Sequence, residues 1–219
     1  MARMTLDAFT GRVAEAAGAR LVALLLYGSA ARELGAESAM NTLLIVESVD
    51  DELFRRLSEP VTEWLRAKHP PPLVLTDQEW RSSADAFPIE YDDIRAHHRV
   101  LAGRDPWRGI SVQRADVRRQ LEQELMGKLM HLRQAYLAAW SRPKRLAETV
   151  HDTRAGFLTM LRAVLRLVGR PVPAAADALV RDAAALIGFA PDRLAEPAAY
   201  LDAVTRTAGY VNRMERTPS

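Results

Sequence analysis

The stretch LLLYGSAARELGAESAMNTLLIVE, residues 24–47, carries the strongest signal for the fold of this chain. An apolar run over residues 21–27 ends at Gly28 and Ser29, a loop follows, and a second apolar run begins after Asn41. Gly28 allows a sharp turn after a strand and a close approach of backbone N–H groups to a ligand. Ser29 offers a hydroxyl and can cap a following helical turn, so these residue types suit an anion such as a phosphate.

The segments that follow continue an alternation of strands and helices. Residues 50–69, DDELFRRLSEPVTEWLRAKH, have apolar side chains at steps of three and four, which predicts a helix that Pro60 kinks or splits in two. PPPLVLT, residues 70–76, predicts a short strand, and the capping-box spacing of Thr76 and Glu79 predicts a helix that begins there. Strands that alternate with helices indicate a small α/β domain.

The periodicity changes towards the second half of the chain. A last strand is predicted over residues 94–101, and after it the apolar spacing is helical throughout. The predicted helices of this half are 112–140, 145–168, 174–187 and 197–214. We therefore expect an α+β/α protein with two domains: a small mixed-sheet α/β domain over residues 1–107, then an antiparallel helical bundle over 108–219.

Composition narrows the range of functions. The chain has no cysteine, which excludes disulfides and thiolate zinc sites, and its five histidines form no zinc-binding motif. The net charge of +2 gives little support to nonspecific nucleic-acid binding, so we expect no nucleic-acid partner. No stretch resembles a signal peptide or a membrane span of roughly 20 apolar residues, so we expect a soluble, cytoplasmic protein with no membrane partner.

The order of motifs in the first half resembles the nucleotidyltransferase fold of the DNA polymerase β superfamily. YGSAAR, residues 27–32, is followed by a loop to Ser38 and by a polar residue at the head of an apolar strand. FPIEYDDIRAHHRVLAGRDPW, residues 87–107, is similar to segments of predicted bacterial members of that superfamily. The resemblance implies two carboxylates, spaced Asp-x-Asp, at the head of the second strand, and a third on the next strand. In that family these carboxylates hold the divalent ions that bind a nucleoside triphosphate and activate the acceptor.

The match to the family motif stops at these carboxylates. Gly28, Ser29 and Ser38 correspond to family positions, but Ala39 and Asn41 occupy the places of the first two acids. The third acid would fall near Leu73, where the sequence has none. Because Mg²⁺ prefers carboxylate oxygens and here would find one neutral amide carbonyl, we expect a degenerate metal site and no bound metal.

On this reading, a nucleotide would be bound in an inter-domain cleft without efficient transfer. The expected nucleotide- or phosphate-binding residues are Gly28, Ser29, Arg32, Ser38, Asn41 and Lys128. No residue qualifies as a clear catalytic group, and Glu37 and Glu90 are the two acids that could replace the missing ligands. A solvated basic stripe on its helix is the alternative interpretation of Lys128.

Two alternatives stay open. An active, metal-dependent nucleotidyltransferase could use non-standard ligands, and would then need Mg²⁺ and a nucleoside triphosphate. A protein of a different class, a regulatory or toxin–antitoxin-like interaction module, would bind a protein partner through its helical bundle. A homo-oligomer is compatible with either alternative, and the sequence gives neither the nucleotide base nor the acceptor.

Overall fold

The computed structural model describes residues 4–32 and 39–214 of the 219-residue chain. Within these ranges the chain is α+β, with one small mixed sheet and a series of helices. It divides into two compact units, Met1–Val112 and Gln113–Ser219.

The first unit contains the sheet. Its helices are α1 (Leu6–Ala17), α2 (Ser29–Arg32), α3 (Asp51–Arg66), α4 (Asp77–Ser82) and α5 (Pro88–Ala96), and its strands are β1 (Leu21–Tyr27), β2 (Asn41–Val46), β3 (Leu73–Thr76) and β4 (His98–Gly103). In the described residues the strand order is β3-β2-β1-β4. β1 is antiparallel to both β2 and β4, whereas β3 is parallel to β2. The predicted strand at residues 21–27 is confirmed.

Strand β2 has no polar face because both sides of the sheet are covered. Leu43 and Ile45 pack into a core on one side, and Leu44 and Val46 pack into a second core on the other. A strand buried on both faces reads as a continuous apolar run rather than an alternation. This burial explains the sequence LLIV and identifies the sheet as the central layer of the unit.

The first core is built around three aromatic side chains. Trp80 of α4 stacks on Tyr91 of α5 with ring centroids 4.2 Å apart, and Trp107 meets Trp80 edge-on at 5.0 Å. The indole N–H of Trp80 donates to the Pro106 carbonyl at 3.1 Å, so this buried donor is satisfied. Ile110 and Val112 pack in the same core, and the first unit ends at Val112, whereas the predicted domain boundary lies at 107/108.

The second core joins α1 and α3 to the opposite side of the sheet. Phe9 stacks on Trp64 with centroids 4.1 Å apart, and both side chains are fully buried. Helix α3 runs through Pro60 as one element, so of the two predicted outcomes, a kink or a split, the split does not occur. Pro60 is buried on the same apolar stripe as Leu57 and Trp64, at helical spacing, so packing against the sheet offsets the backbone hydrogen bond that proline cannot make.

One predicted strand begins too early. A strand is predicted over 94–101, but Ile94 lies in α5 and the strand is His98–Gly103. Pro88 stands in the first turn of α5, where its missing N–H costs nothing. Tyr91 and Ile94, three residues apart, then face the same core. The predicted capping box at the start of α4 is confirmed, since Thr76 accepts from the Glu79 N–H and Glu79 from the Thr76 N–H.

The second unit is helical in its described residues. It contains α6 (Arg114–Ala139), α7 (Pro143–Leu167), α8 (Ala176–Ile187) and α9 (Pro197–Asn212). α6 contacts α7 and α9, and α7 also contacts α8 and α9. The buried side chains of α6 recur at steps of three and four, which places them on one face: Val117, Leu121, Leu125, Leu129 and Leu132. No helix in the described ranges is long and apolar enough to cross a membrane.

Because the hydroxyl of Tyr91 is buried, the first unit is expected to lose stability at alkaline pH. Burial raises the pKa of Tyr91 to about 12, above the value near 10 of an unfolded tyrosine. The folded state therefore holds its proton more tightly, and stability is lost as the pH rises from about 10 towards 12, by an amount on the order of 2–3 kcal/mol for this group.

Tyr91→Phe is expected to be less stable than the wild type near neutral pH and more stable near pH 12. Near neutral pH the variant loses about 1 kcal/mol, because the hydroxyl donates to the Trp80 carbonyl at 2.7 Å. Near pH 12 the variant is the more stable protein, because it has no proton to lose. Urea unfolding at a series of pH values measures both effects. Parallel stability curves for the two proteins would contradict this assignment of the alkaline loss.

Candidate functional site

The turn at the end of β1 forms one side of the candidate site. Gly28 has φ +79°, a conformation that side chains rarely adopt, and its N–H donates to the His97 carbonyl at 3.1 Å. Its own carbonyl accepts from the Ala31 N–H at 3.1 Å, which closes the first turn of α2. Ser29 is exposed directly after this turn. The Gly-Ser pair therefore lies at the end of the sheet where β1 stops.

The head of β2 forms the other side. Asn41 pairs with Tyr27 in the antiparallel register, so the last residue of β1 and the first residue of β2 are neighbours. A Cβ atom built on Gly28 would lie 3.4 Å from Nδ2 of Asn41. The side-chain amide thus packs directly against the glycine turn. The structure brings together two of the residues that the sequence analysis assigned to one site.

An acidic side chain of α5 acts electrostatically on Tyr27, the last residue of β1. Burial raises the pKa of the Tyr27 phenol, and the nearby carboxylate of Asp93 raises it further by disfavouring a second negative charge. Asp93 is partly buried, whereas Glu90, one turn earlier on α5, is exposed. Within α5, the acid that affects the pKa of Tyr27 is therefore Asp93, whereas the predicted candidate Glu90 is exposed.

The start of β2 is held by a histidine from the end of α3. Nδ1 of His69 accepts from the Met40 N–H at 3.2 Å, and the buried imidazole lies 4.1 Å from the Trp64 ring. Since Met40 precedes Asn41, this bond helps to fix where the amide of Asn41 lies. His69 is a positioning residue for the site.

The remaining predicted positions are placed as follows. Ser38 and Glu37 lie outside the described residues. Arg32 is the last residue of α2, and its side chain likewise lies outside what the structure describes. Ala39 is exposed just before β2, and Leu73, at the position of the third family acid, pairs with Leu43 at the start of β3.

Lys128 has a structural role within the helical unit. Its ammonium group donates to the Thr153 carbonyl at 3.1 Å, and it lies close to Gly156, where an added Cβ would be 3.6 Å from Nζ. Burial lowers the pKa of Lys128, against an opposing effect of the Glu124 carboxylate. A lysine half-buried between α6 and α7 and bonded to a backbone carbonyl contributes to the packing of those two helices. This geometry differs from a solvated basic stripe, and a phosphate contact of Lys128 stays a prediction.

The groups that meet at the end of the sheet are polar but mostly uncharged. Ser29 offers a hydroxyl, Asn41 an amide and Tyr27 a phenol, and Asp93 adds one carboxylate. Hydroxyl and amide groups can donate to and accept from phosphate, ribose or base atoms. Within the described ranges, no group of three histidine, aspartate or glutamate side chains is placed to hold a metal ion. The arrangement is suited to hydrogen-bonded recognition.

Asp93 and His69 are not among the predicted site residues. Asp93 belongs to the acidic cluster in FPIEYDD, but α5 was not predicted, so the helical turn that separates it from Glu90 could not be used. His69 carries no local signal, because its importance comes from a contact with Met40, far away in the chain.

No protein-family model and no curated protein sequence matches the chain.

Proposed function

We propose that the chain is a nucleotidyltransferase-like protein with a degenerate metal site, which binds a nucleotide beside Gly28 and Asn41 with little or no transfer. The observation that carries the proposal is the packing of the Asn41 amide against the Gly28 turn. The resemblance to the superfamily implies this juxtaposition, with a Gly-Ser turn next to the head of the strand that bears the metal ligands. The full proposed architecture is a nucleotidyltransferase-like domain followed by an antiparallel helical bundle.

The chemistry of the residues present argues for binding rather than transfer. Activation of an acceptor hydroxyl by Mg²⁺ depends on carboxylates that hold the ion opposite the triphosphate. Ala39 has no ligand atom, and Asn41 supplies a neutral oxygen together with an N–H donor. An N–H donor repels a cation but can bond to a phosphate or sugar oxygen. The substitution of amide for carboxylate therefore shifts the site from metal binding to direct recognition of the nucleotide.

The expected result for the wild-type protein is nucleotide affinity that does not depend on divalent metal. Titration calorimetry with ATP, CTP, GTP and UTP, each with and without Mg²⁺, measures this directly. The double variant Ala39→Asp/Asn41→Asp restores both family acids, and we expect it to bind nucleoside triphosphate at least about tenfold more tightly with Mn²⁺ than without.

A matched control separates the site from the general effect of added charge. Ala185→Asp/Asn212→Asp makes the same chemical changes at two exposed positions of the helical unit and is expected to behave like the wild type. The binding proposal fails if no nucleotide binds the wild-type protein. Its degenerate form fails if the wild type transfers nucleotide to any acceptor with Mg²⁺ or Mn²⁺.

One observation favours a second candidate, an active enzyme with non-standard ligands. The Asp93 carboxylate contributes to raising the pKa of Tyr27, at the strand end where Tyr27 pairs with Asn41. In that case Asp93→Asn abolishes a measurable transfer activity, while Glu90→Gln on the exposed side of α5 leaves it intact. The predicted rescue ligand Glu37 lies outside the described residues and can be compared in the same assay as Glu37→Gln.

A further inference from the structure

Helix α6 and Trp140, the residue that follows it, carry a second apolar face that their own unit leaves uncovered. Met126, Met130, Leu137 and Trp140 are 46%, 54%, 86% and 78% exposed, and we call this set the α6 stripe. Large apolar side chains are scattered singly on most protein surfaces, but a contiguous row marks an interaction site. Leu137 and Trp140 line a surface groove together with Tyr136 and with Leu201 of α9.

The spacing of the α6 stripe identifies another helix as its partner. The steps from Met126 to Met130, to Arg133, to Leu137 and to Trp140 are four, three, four and three residues. This is the repeat of the seam along which two helices pack with interlocking side chains. The stripe is distinct from the inward-facing row that contains Leu125, Leu129 and Leu132, so α6 has one face for its own unit and one for a partner.

The area of the stripe is sufficient for two copies to pair. If a fully exposed large side chain offers roughly 200 Å², the four residues together expose on the order of 500 Å². Two stripes in contact would then bury about 1,000 Å², the size at which specific interfaces begin. The residues outside the described ranges (1–3, 33–38 and 215–219) include only Met1 and Leu34 as large apolar side chains, too few to cover it.

The apolar positions of the stripe are also complementary to themselves. Its apolar positions are arranged almost symmetrically about Arg133, at seven and three residues before it and at four and seven after it. A two-fold axis near Arg133 therefore sets Met126 against Trp140 and Met130 against Leu137 of the other copy, as a closed two-fold interface requires. The flexible methionines can adapt to the larger partners, and the thioether–indole contact is itself favourable.

We propose that the chain forms a homodimer through antiparallel packing of the α6 stripe of one copy against the same stripe of a second copy. Antiparallel packing distributes volume evenly, because each layer combines a methionine with Leu137 or Trp140. Antiparallel packing also points the dipoles of the two helices in opposite directions, which is the favourable orientation. Parallel packing would stack the two copies of Trp140 at one end and leave the methionines facing each other at the other end.

The first test is self-association of the whole protein by sedimentation velocity. The wild type is expected to be dimeric at micromolar concentration, and Leu137→Lys to weaken the dimer by about a hundredfold, because each copy loses an apolar contact and gains an unpaired charge beside Arg133. Leu65→Lys is the matched control, since Leu65 is an exposed leucine on α3 in the other unit. A monomeric wild type, or equal effects of the two substitutions, overturns the proposal.

The second test reads the register of the pair. Because the chain has no cysteine, single substitutions can be cross-linked without a background. Arg133→Cys lies next to the axis and is expected to cross-link to itself, as is a mixture of Met126→Cys with Trp140→Cys. Met126→Cys alone is not, because the two copies of position 126 would be about 21 Å apart at 1.5 Å per residue. Efficient self-cross-linking of Met126→Cys would show a parallel pair and overturn the proposal.

Discussion

Gly103→Ala is expected to destabilise the first unit by about 3–5 kcal/mol, a large part of the total stability of a domain. Gly103 pairs with Ala23 at the end of β4 and has φ +82°. A Cβ atom at this position would lie 2.2 Å from the Val22 carbonyl oxygen and 2.9 Å from the Ala23 Cα. These are backbone atoms of the central strand, so the two strands must separate to admit a methyl group.

The clash also acts on a hydrogen bond. The Val22 carbonyl accepts from the Arg104 N–H at 2.9 Å, and a shift of that carbonyl weakens the bond that ends the β1–β4 ladder. The positive φ adds about 1–2 kcal/mol for any residue with a Cβ. Steric overlap, backbone strain and the weakened bond thus all act in the same direction.

Gly109→Ala separates these contributions. Gly109 has φ +81°, nearly the same as Gly103, but nothing lies within 4 Å of a Cβ built on it. It is expected to lose only the strain of about 1–2 kcal/mol. Guanidinium unfolding followed by circular dichroism compares the two variants with the wild type. Equal losses at the two glycines would show that strain alone accounts for Gly103.

Trp80→Ala is expected to have an effect of similar size, about 3–5 kcal/mol, through loss of packing in the first core. Trp80 is fully buried, stacks on Tyr91 and touches the edge of Trp107. Its truncation leaves a cavity beside both rings and removes the donor to the Pro106 carbonyl. The segment that carries Trp107 then loses one of its anchors to α4.

Two further substitutions show which part of the side chain matters. Trp80→Phe keeps an aromatic ring against Tyr91 but loses the indole N–H. We expect it to lower the free energy of unfolding by about 1–2 kcal/mol, in addition to the cost of the smaller side-chain volume. Phe87→Ala, at an exposed aromatic residue near the start of α5, is expected to stay within about 0.5 kcal/mol of the wild type. Urea unfolding measures all three. A Trp80→Ala variant as stable as Phe87→Ala would contradict the role of the aromatic core.

Local chemistry made some elements predictable from sequence. The run over residues 21–27 is entirely apolar, and the cap at Thr76 and Glu79 needs only four consecutive residues. The predicted start of β4 is wrong because Ile94 is apolar and comes shortly before the strand. Only the contact of Ile94 with the first core shows that it belongs to α5. The persistence of α3 through Pro60 likewise depends on burial against the sheet, which has no local signature.

The candidate site divides in the same way. The proximity of Gly28 and Asn41 follows from an antiparallel pair of strands, and motif spacing could anticipate it. Asp93 and His69 reach the site from α5 and from the end of α3, through contacts between residues far apart in sequence. The bond between Lys128 and the Thr153 carbonyl is of this kind too, and helical periodicity gave no means to foresee it.

The strand order has a consequence for the synthesis of this protein on the ribosome. β1 is a central strand, yet its neighbour β4 is synthesised long after β2, at roughly 5–20 residues per second, so one edge of β1 waits several seconds for its partner. That edge belongs to LVALLLY, an uncharged segment of high aggregation tendency when its backbone is unpaired. That edge therefore stays unpaired through the whole interval between the emergence of β2 and that of β4, and during this interval a chaperone would have an exposed edge to protect.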